Sequence, residues 1–337
     1  MIFTSRRKFL IRSAIAGAGI SFGADALARS GAHEVKPSDF ARISSANDPG
    51  DFKISIFSKH LHWLEYDEMA RVAAEIGFDG VDLTVRPKGH VLPERVEEDL
   101  PAAMEAVQRA GMGIYMITTA IDNADDPLTE KILKTASSLG IRHYRMGWFY
   151  YDDTKTIEEN ISRVRDHLRK LAMLNEKYSI SGEYQNHSGM DEKGIYFGGA
   201  VWDLAGVLKN LNSAWLGSQY DIYHATVEGA NAWPVGMQLV SPYIRTLDIK
   251  DFQWSKKEGK WSSESVPLGE GMVDYKKFLG LIKRYNIKVP ISIHYEYPLG
   301  GADQGAKVLT MKREEVISAM KKDLITLKRY LKEASLV

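Results

Sequence analysis

"KISIFSKHLHWLEYDEMARVAAEIGFDGVDLTV", residues 53–85, decides the fold. It opens on a short β-rich run, Lys53–Phe57, and passes into "YDEMARVAAEIG", where apolar residues recur at helical spacing. Gly77 stands where a helix takes a left-handed stop, and a second β-rich run, "GVDLTV", begins at Gly80. Strand, helix, stop and strand make one βαβ unit, which calls for a parallel sheet. No glycine-rich phosphate fingerprint follows the first strand, since "SIFSKHLHW" contains no glycine.

The unit then repeats along the chain. Further β-rich runs occur at "GIYMIT" (Gly113), "RHYRMGW" (Arg142), "ISGEY" (Ile180), "GSQYDI" (Gly217), "IRTLDIKDF" (Ile244) and "VPISIHYEY" (Val289), making eight in all. Between them lie stretches of helical period, several closed by glycine (Gly77, Gly111, Gly140); the weakest is "ANAWPVGMQLVSPY", a short, proline-interrupted helix. Eight alternations with no sign of a second domain predict a closed (β/α)8 TIM barrel over residues 52–337 rather than an open doubly wound sheet.

Composition and the N-terminus set the context. Lys plus Arg and Asp plus Glu are both 44, so the formal net charge is zero, which argues against a nucleic-acid partner. There is no cysteine, so disulfides, thiol metal sites and thiol nucleophiles are all excluded. Residues 1–28 read as a twin-arginine export signal. "SRRKFL" precedes a modest apolar stretch broken by glycines, too short for a membrane span, and "ALA" (Ala26–Ala28) supplies a cleavage site. Residues 29–51 are a polar linker. The mature protein is therefore expected in the periplasm and free of the membrane.

In a (β/α)8 barrel the C-terminal strand ends form the active face. Those ends carry Lys59, His60 and His62; Asp82, Arg86 and His90; Arg145 and Trp148; Glu183, Gln185, Asn186 and His187; Asp221 and His224; Asp248, Lys250 and Asp251; and His294 and Glu296. Each residue alone has an ordinary structural explanation. Strands five to eight, however, all deliver a carboxylate or imidazole to one rim.

At this point the chain resembles a known family. "YQNHSG", "YDIYHA", "DIKDF", "PLGEGMVDYKKF" and "PISIHYEY" together are similar to the xylose isomerase-like barrels, the sugar phosphate isomerase/epimerase group. The resemblance implies one divalent metal held by Glu, Asp, His and Glu from strands five to eight, with the glutamates moving a proton next to a carbonyl. Matched residue by residue, these positions here are Gln185, Asp221, Asp248 and His294, and only Asp221 keeps the family's residue type. Two carboxylates, one imidazole and one amide oxygen still suit Mn²⁺, Mg²⁺, Co²⁺ or Zn²⁺. Glu183 and Glu296 each lie two positions from a replaced glutamate, on the same strand face. Each is one step of about 6.6 Å away, too far to take over the bond but placed to act as a base. Lys250 is a third catalytic candidate.

The expected function is a metal-dependent isomerase or epimerase of a sugar or sugar derivative. His60, His62, Arg145, Trp148, His187, His224 and Trp254 are expected to position the substrate. The alternative is a non-catalytic carbohydrate-binding barrel, motivated by the two replaced glutamates. A metal-dependent nuclease of the same fold is disfavoured by the neutral charge and the export signal.

Overall fold

Along several of the predicted strands, large apolar residues alternate with small or polar ones. Ile54 and Ile56 flank Ser55, Val81 and Leu83 flank Asp82, Leu247 and Ile249 flank Asp248, and Ile291 and Ile293 flank Ser292. A strand sends such neighbours to opposite faces. The apolar set therefore packs outward under the helices, where each fully buried side chain contributes about 1.5–3 kcal/mol. The polar set is left to line the interior.

The computed structural model describes residues 52–337, and the sheet it contains is a closed barrel of eight parallel strands. In chain order these are β1 (Ile54–Phe57), β2 (Gly80–Val85), β3 (Gly113–Thr119), β4 (His143–Arg145) and β5 (Ser181–Gln185). A small hairpin, β6 (Met190–Asp191) with β7 (Gly194–Ile195), precedes β8 (Leu216–Asp221) and β9 (Ile244–Ile249). A longer hairpin, β10 (Asp251–Lys257) with β11 (Lys260–Val266), precedes β12 (Ile291–Ile293), which pairs with β1 and closes the barrel. All eight predicted runs are barrel strands. The predicted glycine stops hold too, with Gly77 at φ 106° capping the helix Tyr66–Ile76.

Outward tyrosines tie strands to helices. Tyr144 donates to Asn175 Oδ1 on the helix Ile157–Tyr178, Tyr220 stacks on Phe278, and Tyr295 donates to the Met320 carbonyl. Two details differ from expectation. The run from Ile244 is not one strand: β9 ends at Ile249 and Asp251 begins the β10–β11 hairpin. The segment after the sixth barrel strand forms two helices, Ile222–Gly229 and Trp233–Val240. Pro234 sits in the first turn of the second, where its missing N–H costs nothing. The export signal and linker expected over 1–51 lie outside the described residues. Among the described residues, no helix is long and apolar enough to cross a membrane.

Register sets the height of each inward side chain. Asp221 is level with Asp248, and Asp248 is level with Ser292. His294 and Glu296 are therefore one and two steps higher on the same face, towards the C-terminal rim.

Candidate active site

The interior polar residues form a lower and an upper tier. In the lower tier, the Gln185 amide donates to Asp221 Oδ2 (3.1 Å) and Asp248 Oδ2 (2.6 Å), and Gln219 donates to Asp248 Oδ1 (2.5 Å). His294 Nε2 lies 3.4 Å from Asp248 Oδ1. Asp221, Asp248, His294, Gln185 and Gln219 are all buried. Burial raises the Asp221 carboxyl to about 6, although Lys250 pulls the other way. Burial also acts to raise Asp248, but the facing His294, the Gln219 hydrogen bond and Arg145 together hold Asp248 below the usual range. The same pairing raises His294 against its own burial.

The upper tier is organised by one ammonium. Lys250 Nζ lies 2.8 Å from His224 Nε2, 3.0 Å from Glu296 Oε2 and 3.2 Å from Asp221 Oδ2. Burial would lower the Lys250 pKa, but Asp221 and Glu296 outweigh it and keep the group charged. Glu296 is pushed up by burial, yet Lys250 above all, with His294 and Lys59, holds it well below the usual carboxylate range. Its side chain is 27% exposed, whereas those of Asp221 and Asp248 are 0% exposed. Glu296 is thus the carboxylate of this cluster that a substrate can reach. Lys59 stands nearby, its pKa lowered chiefly by burial.

"QNHSG" after β5 works as a unit. Asn186 clamps the Asp221 peptide on both sides, accepting from its N–H (2.9 Å) and donating to its carbonyl (3.0 Å). The His187 ring lies 3.9 Å from that of His224 and 4.9 Å from that of Trp148. Lys250 donates to His224 Nε2, so its Nδ1 carries the proton and donates to Ser188 Oγ (2.7 Å). Burial lowers His224 well below its ordinary pKa, in keeping with that neutral tautomer. Asp221 Oδ1 accepts from the His224 N–H and starts the helix that follows, which accounts for the Asp-x-x-His spacing.

"PLGEGMVD" wraps Asp251. Its carboxylate accepts from the N–H groups of Gly269, Gly271 and Val273, and of Phe252. A Cβ on Gly271 would lie 2.2 Å from Asp251 Oδ1, so only glycine fits there. That motif builds the loop that holds Asp251, just past the C-terminal end of β9.

Several expected site residues are used elsewhere. Glu183 is buried and its carboxylate meets His143 Nδ1 at 2.9 Å, with Arg245 nearby, so no hydrogen bond or ion pair joins it to the Lys250 cluster. His60 spends both ring nitrogens on the backbone: Nε2 accepts from Tyr295 N–H, and Nδ1 donates to the Ala302 carbonyl. His62 bonds Thr84 Oγ1 beside the ring of His90, and burial lowers its pKa to about 3. Trp254 is 42% exposed on the β10–β11 hairpin. Lys59, Gln219 and Arg86 are additional polar neighbours. Lys59 and Arg86 were visible as strand-end cations, whereas nothing in the local sequence around Gln219 distinguishes it from an ordinary strand residue.

Arg145 decides the orientation of Gln185. Its Nη1 donates to Gln185 Oε1 (2.9 Å), while its guanidinium lies 4.7 Å from the Trp148 ring centroid. The amide NH₂ is thereby turned onto both aspartates. Rotating it to offer oxygen would set N–H groups against a cation. The side chains that fit a divalent cation are therefore Asp221, Asp248 and His294. Their ligand atoms lie within 4.8 Å of one another, and the buried His294 Nε2 has no hydrogen-bond partner. Gln185 is held as a donor instead.

The family of xylose isomerase-like TIM barrels matches residues 70–312, and the chain belongs to it. No curated protein matches. Among solved structures, the chain is similar to a xylose isomerase domain protein from Planctomyces limnophilus (16% identity, 79% of this chain and 93% of that one, TM-score 0.57). It is also similar to D-psicose 3-epimerase from Clostridium cellulolyticum H10 (11% identity, 83% and 99%, TM-score 0.61). A third is 3-keto-D-glucoside 4-epimerase from E. coli (13% identity, 83% and 100%, TM-score 0.60). At these identities the likeness is one of fold.

Proposed function

We propose that the protein is an isomerase or epimerase of a sugar or sugar derivative that moves a proton at a carbon next to a carbonyl. The observation that carries this reading is Glu296, a reachable carboxylate one step above His294 and held in place by Lys250. Family membership and the sugar epimerases among the structural neighbours support the substrate class. Asp221, Asp248 and His294 would hold a divalent metal, which when bound would polarise the carbonyl and adjacent hydroxyl oxygens and acidify the intervening C–H.

Glu296 takes the proton from that carbon; it can deliver it to the former carbonyl carbon in an isomerisation, whereas in an epimerisation a second group returns a proton on the opposite face. Lys250 fixes the direction of the carboxylate and keeps it ionised, ready to accept. The ammonium of Lys59, close enough to help depress Glu296, adds positive charge where negative charge develops on the substrate. Arg145, seated on the Trp148 ring, holds Gln185 of the lower tier in place. Residues 1–28 would carry the folded protein to the periplasm.

Incubation with a panel of ketoses in D₂O, with and without Mn²⁺, tests the reading by NMR. Solvent deuterium should appear at the carbon beside the carbonyl of at least one sugar. No incorporation across the panel under either condition would reject it.

A further inference from the structure

Beside the polar cluster, on the far side of Arg145 and Trp148, lies a cleft of about 970 Å³. That is the upper end of the range for whole drug-sized ligands, about 300–1,000 Å³, and far more than one sugar ring fills. Arg145 and Trp148 belong to both spaces. Arg145 bonds Gln185 and lines the cleft, while Trp148 lines it and touches His187 beside His224. The outer wall is the β6–β7 hairpin, pinned because Asp191 Oδ2 accepts from both Tyr150 (2.8 Å) and Tyr196 (2.9 Å).

The chemistry of the lining is specific. Trp148, Tyr150 and Tyr151 bring aromatic surface, and Asp122, Asp152 and Asp153 bring carboxylates. Four cationic and five acidic side chains line the cleft, so it offers no positive excess for a phosphate. The Trp148 indole N–H is buried and has no partner in the protein. Aromatic planes for C–H faces, carboxylates for hydroxyls and an N–H needing an oxygen describe a carbohydrate site.

We infer that the substrate is a glycoside, with the reacting ring over Glu296 and a second sugar ring in the cleft beyond Arg145 and Trp148. This rests on the polar cluster being the site of sugar chemistry. Substrates reduced to the single ring would lose the contacts of the outer wall.

Calorimetric titration of the purified protein tests this, with cellobiose, maltose and lactose against D-glucose and D-galactose. At least one disaccharide should bind about tenfold or more tighter than either of its component sugars. Tyr150→Ala should weaken that disaccharide by about fivefold or more and leave the monosaccharides unchanged. Ile195→Asp, at a position 58% exposed on the hairpin and so safe for folding, should do the same. Monosaccharides binding as tightly as every disaccharide, no disaccharide binding, or equal losses for both classes would each overturn the inference. Tighter disaccharide binding without deuterium exchange would uphold the cleft and defeat the proton-transfer reading instead.

Discussion

Lys250→Met removes the ammonium that joins the two tiers while keeping much of the side-chain volume. Asp221, with its side chain 0% exposed, would lose its cation, and His224 Nε2 would lose its donor. Breaking a buried ion pair by removing one partner costs about 3–5 kcal/mol, because the remaining charge stays desolvated. Glu296, at 27% exposure, is screened by solvent and adds little to that cost. At about 2.1 cal/mol/K per residue, residues 52–337 have an unfolding entropy of about 0.6 kcal/mol/K, so Tm should fall by about 5–8 °C. Thermal melts at pH 7.5 in EDTA, which strips any bound metal, give the measurement. Asp221→Asn in the Lys250→Met background should cost less than the sum of the single changes, by at least about 1 kcal/mol. A Tm drop below about 2 °C, or strictly additive losses, would refute the view that Lys250 neutralises Asp221.

Glu296→Gln should keep divalent metal but lose about 100- to 10,000-fold in rate, whereas His294→Ala should lose metal first and recover in part when metal is added. Metal content and kinetics measured together check this, and the opposite pattern would make Glu296 the ligand. His60, His62, His90, His187 and His224 are held neutral by burial, with His62 and His187 lowered to about 3 and His90 to about 4. The unfolded chain binds their protons first, so this stability is complete above about pH 6.5 and is lost as pH falls through 6.5 towards those values. Asp82 and Asp221, raised to about 6, oppose the trend between 3.8 and 6. His62→Gln should flatten the loss in acid melts, and an unchanged slope would contradict this account. Replacing Arg6 and Arg7 with Lys should leave the precursor in the cytoplasm, and normal export of that variant would defeat the twin-arginine reading.

How much could be read before folding differs between scaffold and site. Strand positions and glycine stops follow from local chemistry, since period-two and helical patterns need only neighbouring residues and Gly77 needs only its own φ, and the count of eight alternations points to a closed barrel. The carboxylates and imidazoles at the ends of strands five to eight were legible for the same reason, since alternation alone assigns them to the inner face. Alternation does not say how high each stands or what else reaches it. Glu183 and Gln185 share one face of β5, yet His143 takes the first, while Arg145 and two aspartates take the second. His60 and His62 read as rim residues that position the substrate, but the backbone of Tyr295 and Ala302 and the hydroxyl of Thr84 occupy them. The placement of Lys250 among Asp221, His224 and Glu296, drawn from three strand ends, depends on the register of a closed sheet and on the reach of a long side chain. These are relations between residues far apart in sequence, and only the folded barrel sets them.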